Sequence, residues 1–70
     1  MAEGVTPDEQ WFLDRGIGVQ TEQADRDLFW THLVDSESRR RIAPDYGWGT
    51  ACDESVASAR RRYEIEQLGT

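Results

Sequence analysis

Few residues in this chain have the chemistry to act on another molecule. It contains one histidine, His32, and one cysteine, Cys52, and all eight of its cations are arginines. An imidazole titrates near neutrality, so His32 is the one candidate general base. It lies inside Leu28-Phe29-Trp30-Thr31-His32-Leu33-Val34 with no Ser, Cys or second His at motif spacing. A cross-strand structural contact is therefore the expected role, and no catalytic residue is assigned. Cys52 sits near the expected start of a helix, where the dipole favours a thiolate. Its spacing with Val56, Ala59 and Tyr63 instead predicts a small, half-buried residue on an apolar helix face. One Cys and one His cannot close a zinc site within one chain, and one Cys cannot form an intrachain disulfide. Asp25-Arg26-Asp27 starts like a calcium loop, but Phe29 and Trp30 stand where a further oxygen ligand and a glycine are needed. No metal or cofactor is expected.

The arginines come in two runs. In a strand, Arg39-Arg40-Arg41 alternates, so Arg40 points away from its neighbours. Arg60-Arg61-Arg62 fans around a helix at about 100° per residue. There Arg60 can pair with Glu64, and Arg62 with Glu66, at i,i+4 spacing. Trp30, Tyr46 and Trp48 are the residues best suited to anchor a partner, since Trp and Tyr dominate binding hot spots.

These residues must be positioned by 70 residues carrying a net charge of −6. Such a length specifies a single small domain, residues 1–70, with a thin core and no disulfide to support it. The charge is uneven. Residues 1–37 hold nine carboxylates against Arg15 and Arg26, whereas residues 38–70 hold five against six arginines. That split predicts either internal neutralisation on folding or an acidic surface offered to a basic partner. The net charge of −6 also disfavours nonspecific nucleic-acid binding, which depends on neutralising phosphates. The N-terminal residues are acidic and lack the apolar run of a secretory signal. No stretch approaches the roughly 18 apolar residues of a membrane span. The expected compartment is the cytoplasm.

Thr6-Pro7-Asp8-Glu9 is a helix start: a cap, a proline suited to the first turn, and acids at the positive end of the dipole. Gly16 and Gly18 end that run, which gives a helix over 7–15. Alternation predicts strands over 17–22, 28–34 and 39–43, the last stopped by Pro44. Tyr46-Gly47-Trp48-Gly49 reads as a glycine-punctuated loop, and Thr50-Ala51-Cys52-Asp53 as a second capping box. The final helix is expected over 51–67, with Gly69 ending it. The expected fold is α+β, in the order α-β-β-β-α, with two helices covering one face of a three-stranded antiparallel sheet.

A turn at 35–38 would pair Val34 with Arg39 and Thr31 with Ile42. Phe29, Thr31, Leu33 and Ile42 then share one face, and Ile42, the only large apolar residue of the third strand, puts that face against the helices. The open face would carry Trp30, His32, Arg39 and Arg41.

Tyr46-Gly47-Trp48-Gly49-Thr50 through Leu68 resembles the end of a double-stranded-RNA-binding-type fold, in which a Gly-x-Gly-Ser/Thr segment leads into an Ala-rich last helix. Pro44-Asp45-Tyr46 and the small-residue helix after it are also similar to HicB-like antitoxins. The RNA-binding family grips phosphate with lysines at the start of that helix. Here Asp53 and Glu54 stand there, so the resemblance implies the fold without the RNA. The related HicA toxins use a histidine after a Gly-Ser, a context that His32 lacks. The resulting expectation is a non-catalytic protein-interaction domain, regulatory or antitoxin-like, which binds a protein partner or itself through the open sheet face or an edge. The candidate contacts are Trp30, His32, Arg39, Arg41 and Trp48. The alternative is a nucleic-acid-binding module using Arg39, Arg41 and Trp48.

Overall fold

The computed structural model describes residues 6–68, so the expected stop at Gly69 lies outside the described residues. The Thr6 hydroxyl accepts the Glu9 amide proton at 3.2 Å, and Pro7 occupies the first turn. Helix α1 spans Pro7–Leu13, shorter than expected, because the chain turns out through Asp14–Gly16 with Gly16 at φ 76°. Helix α2 spans Cys52–Leu68. Its cap differs from the expected box: the Glu54 carboxylate, not Asp53, accepts from both the amide and the hydroxyl of Thr50.

Strands β1 (Ile17–Asp25), β2 (Leu28–Asp35) and β3 (Arg41–Gly49) form one antiparallel sheet in the order β1-β2-β3. Arg26 and Asp27 form the β1–β2 hairpin turn, and Asp25 ends β1 opposite Leu28. The α-β-β-β-α order, with both helices on one face of the sheet, matches expectation and has the general topology of double-stranded-RNA-binding-type domains.

The third strand departs from expectation. It does not stop at Pro44, and Tyr46–Gly49 is not a loop but its second half. The register also shifts: Val34 pairs with Arg41 rather than Arg39, and Thr31 pairs with Gly47 rather than Ile42. Two irregularities cause this, one between Thr31 and Leu33 and one between Leu33 and Val34 on the facing strand. Ile42 falls in the second of them and is 56% exposed, so it does not face the helices.

The core lies between sheet and helices: Phe12, Leu33, Tyr46 and Ala59, with Trp11, Ile17, Val19, Ala43 and Tyr63 packed around it. Trp11, Phe12 and Tyr63 make mutual edge-to-face contacts with centroids 5.2–5.7 Å apart. Gly47 and Gly49 let α2 lie directly on the β3 backbone. A methyl on Gly47 would fall 2.5 Å from the Ser55 carbonyl oxygen, and one on Gly49 2.7 Å from the Glu54 Cβ. Arg60 joins the helices through Asp8 at 3.1 Å. Both expected i,i+4 pairs form, Arg60 with Glu64 and Arg62 with Glu66. Cys52 is exposed rather than half-buried: it keeps helical spacing with the buried Ser55, Val56 and Ala59, but it begins α2 at the margin of an open groove that Val56 also lines.

Candidate functional site

Side chains alternate along a strand, so the contacts of Thr31 and Leu33 fix which face is which. Thr31 is hydrogen-bonded to Ser55 of α2, and Leu33 belongs to the core. Trp30, His32 and Val34 therefore occupy the face without helices. Residues directly opposite each other share a face, which organises this surface into three rows.

At one end Gly18 pairs with Val34, and Val34 with Arg41. Val34 is fully buried although no helix covers it. The turn after β2 crowds this end: a methyl on Gly18 would meet Val34 Cγ2 at 3.0 Å and Arg39 Nη1 at 3.3 Å. Arg39 adopts φ 64°, a left-handed conformation that costs a non-glycine residue about 1 kcal/mol. Its amide donates to the Asp35 carbonyl at 2.9 Å, and the Asp35 amide to the Arg40 carbonyl at 2.8 Å. The Ser38 and Glu37 amides on the Asp35 carboxylate hold its pKa below the usual range.

In the middle row Gln20 pairs with His32, which faces the first irregularity of β3. His32 is only 2% exposed. Its Nδ1 accepts the Asp45 amide proton at 2.8 Å, an arrangement that leaves the neutral ring's proton on Nε2. Nε2 lies 3.3 Å from Glu22 Oε1, but the alignment gives no hydrogen bond. It is the one buried side-chain polar atom among the described residues without a hydrogen-bond partner. Asp45 Oδ1 stands 3.5 Å from Nδ1, so one carboxylate from each neighbouring strand flanks the ring.

At the far end Glu22 pairs with Trp30, and Trp30 with Trp48. Trp30 is half-buried and Trp48 is 58% exposed. Beyond Trp48, around the edge of β3, an open groove of about 580 Å³ runs to α2 and includes Thr50, Ala57, Ser58 and Arg61 in its lining.

The helix-free face thus brings Trp30, His32, Arg41 and Trp48 together, with Arg39 folded in from the adjoining turn. Glu22 and Asp45 belong to the same surface and were not expected from the sequence. Alternation places Glu22 beside Trp30 once β1 and β2 are paired. The approach of Asp45 to His32 depends on the break in β3, which no local pattern announces.

Tyr46 lies on the other side of the sheet. Its hydroxyl donates to Glu66 Oε1, and Arg62 stacks 4.3 Å from its ring centroid. Burial, reinforced by the Glu66 carboxylate, pushes the phenol up to about 12. The same phenol and Arg62 hold Glu66 below its usual value. Tyr46 is thereby used in packing α2.

Among the described residues, no three His, Cys, Asp or Glu side chains are grouped to hold a metal ion. No described helix is long and apolar enough to cross a membrane. No family model, curated protein or solved structure matches the chain.

Proposed function

We propose that this chain is a non-catalytic protein-interaction domain that engages a partner polypeptide, or a second copy of itself, through the helix-free face of its sheet. The observation that carries this reading is the Trp30–Trp48 pair. Two indoles stand directly opposite each other on an uncovered sheet, and one of them is 58% exposed. Paired aromatics with a polar surround make effective anchors. Arg39, Arg41, Gln20 and Glu22 supply that surround.

The same surface disfavours the nucleic-acid alternative built on Arg39, Arg41 and Trp48. Glu22 and Asp45 sit between the arginine end and the tryptophan end, where a phosphate chain would have to cross. Catalysis finds little support, since His32 is enclosed and its Nδ1 is engaged by a backbone amide. A regulatory or antitoxin-like role is one form of this reading and rests on the resemblance of Pro44-Asp45-Tyr46 and the helix after it alone.

The test compares the wild-type chain with Trp30→Ala and Trp48→Ala, by sedimentation for self-association and by affinity capture from native lysate for partners. Each substitution is expected to weaken the association about tenfold or more, with the circular dichroism spectrum unchanged. Association that neither substitution weakens would overturn the reading, as would salt-sensitive retention of nucleic acid with no protein.

A further inference from the structure

We propose that the edge of β1 accepts an extended, arginine- or lysine-bearing segment of a partner polypeptide as a fourth strand, with one basic side chain of that segment entering the groove between the two helices. The inference rests on the reading of the chain as a protein-binding domain but uses the edge of β1 rather than the Trp30–Trp48 pair, with Gln20 and Glu22 of β1 bordering both.

A three-stranded open sheet has two edges, and here they are unlike. β3 contains Pro44, which has no amide proton, Asp45 at φ 49°, and both register irregularities with β2. A strand laid along it would meet donors and acceptors out of phase. Prolines and bulges of this kind protect edges from pairing. β1 has no proline and keeps unbroken register with β2 from Ile17 to Gln23. Its first irregularity comes only between Gln23 and Asp25, beside the hairpin. Added strands bind mainly through such continuous main-chain hydrogen bonding, and the flanking side chains set specificity.

Acidic side chains flank β1 on both faces, supplied by the two helices on one and by the strand and its turn on the other. On the helix side, the N-terminal ends of α1 and α2 leave a groove of about 260 Å³ over the strand. Val19 and Val56 supply its apolar surface, and Glu9 and Asp53 its charge. This combination suits a long basic side chain, with methylenes on the valines and the cation at the carboxylates. Neither Glu9 nor Asp53 pairs with an arginine among the described residues, whereas Asp8 is taken by Arg60. On the other face the Glu22 side chain is 65% exposed, and Asp25 and Asp27 follow in exposed positions. A second copy would bring the same carboxylates against one another, and like charges across a strand pair are destabilising. The occupant with complementary charge is a basic strand.

The probe is a blocked nonapeptide, TRVRRVRVT, which carries arginines on both faces when extended, titrated into the full isotope-labelled chain. Shifts concentrated on the amides of residues 17–23 are expected, with affinity about tenfold lower when salt is raised from about 50 to about 500 mM. N-methylation of one of the two alternating sets of peptide residues, the set whose amides face β1, should abolish binding, and the double substitution Glu9→Gln with Asp53→Asn should weaken it several-fold. Binding that survives N-methylation of each set in turn would show attraction by charge alone and overturn the proposal. So would shifts centred on Trp30 and Trp48, no binding at about 50 mM salt, or a β1-paired dimer that the peptide fails to dissociate. Trp30→Ala separates the two readings. Unchanged peptide affinity in that variant supports a distinct β1 site. A peptide that fails to bind, while Trp30-dependent capture of a protein persists, removes this inference and leaves the other standing.

Discussion

Thr31 on the central strand and Ser55 on α2 share a hydrogen bond of 2.6 Å in a place where both side chains are fully buried. The Ser55 hydroxyl donates its single proton to the Cys52 carbonyl at 2.9 Å. Thr31 must therefore donate to Ser55, and Thr21, 3.2 Å from Thr31, must donate to Thr31. A one-way chain of hydroxyls thus crosses two strands and ends in the first turn of the helix.

That chain sets the first prediction. Ser55→Ala and Thr31→Val each remove one link and leave a buried polar atom short of a partner, at a cost of about 1–2 kcal/mol. The double variant should lose less than the sum, because both remove the same bond. Urea unfolding of the two single variants and the double variant measures the coupling, and strictly additive losses would disprove the chain.

Gly47 and Gly16 should respond very differently to the same methyl group. At Gly47 the new carbon would lie within 2.6 Å of the Ser55 carbonyl and the Ala59 backbone, which cannot yield without moving α2 off the sheet. Gly47→Ala is expected to cost at least about 2 kcal/mol. At Gly16 an added methyl would meet nothing within 4 Å, and only the φ of 76° opposes substitution. Gly16→Ala should cost about 1 kcal/mol. Thermal melts of the two variants provide the comparison, and equal losses would contradict the close approach of α2 to β3.

Alkaline titration tests the Tyr46–Glu66 contact. The folded phenol is raised to about 12 from an ordinary 10.0, so the folded chain keeps a proton that the unfolded chain releases in that interval. The resulting stability is fully present below pH 10.0 and is lost as pH rises toward about 12. At the acid end the sign reverses for Glu66. Its depressed pKa contributes stability above the ordinary 4.5, and this is lost as pH falls through the folded value. Tyr46→Phe should remove the phenolate absorbance step near pH 12 and reduce the acid-side loss. If the step that Tyr46→Phe removes lies near the ordinary 10.0 in the wild-type chain, the contact is ruled out.

Alternation and capping made most of this architecture legible. The aromatic run of β2, the alternation of β1 and the Thr6 cap each act within a few residues, so they appear directly in the sequence. β3 was harder to read because its punctuation serves other purposes. Pro44 marks the end of a strand in an interior position, but an edge strand tolerates it. Gly47 and Gly49 look like turn residues, whereas they are small because a helix lies against them. The irregularities opposite His32 and beside Ile42 shift the register, which explains why Ile42 faces solvent. Trp48 still lands beside Trp30, though the expected pairing could not have placed it there. The exposure of Cys52 has a different cause: its spacing does place it on the buried stripe of α2, but it is the first residue of the helix, beside a groove that nothing fills.

The irregularity beside His32 also splits β3 into two lengths with unequal anchorage. Tyr46–Gly49 is bolted on two sides, to β2 and to α2, while Arg41 and Ala43 are the only positions of the other length in register with β2. Thermal breathing should therefore begin at the arginine end and halt at the imidazole, much as a zip stops at a bent tooth. The two indoles would then keep their geometry through fluctuations that loosen the guanidinium groups, giving the surface a stiff half and a compliant half.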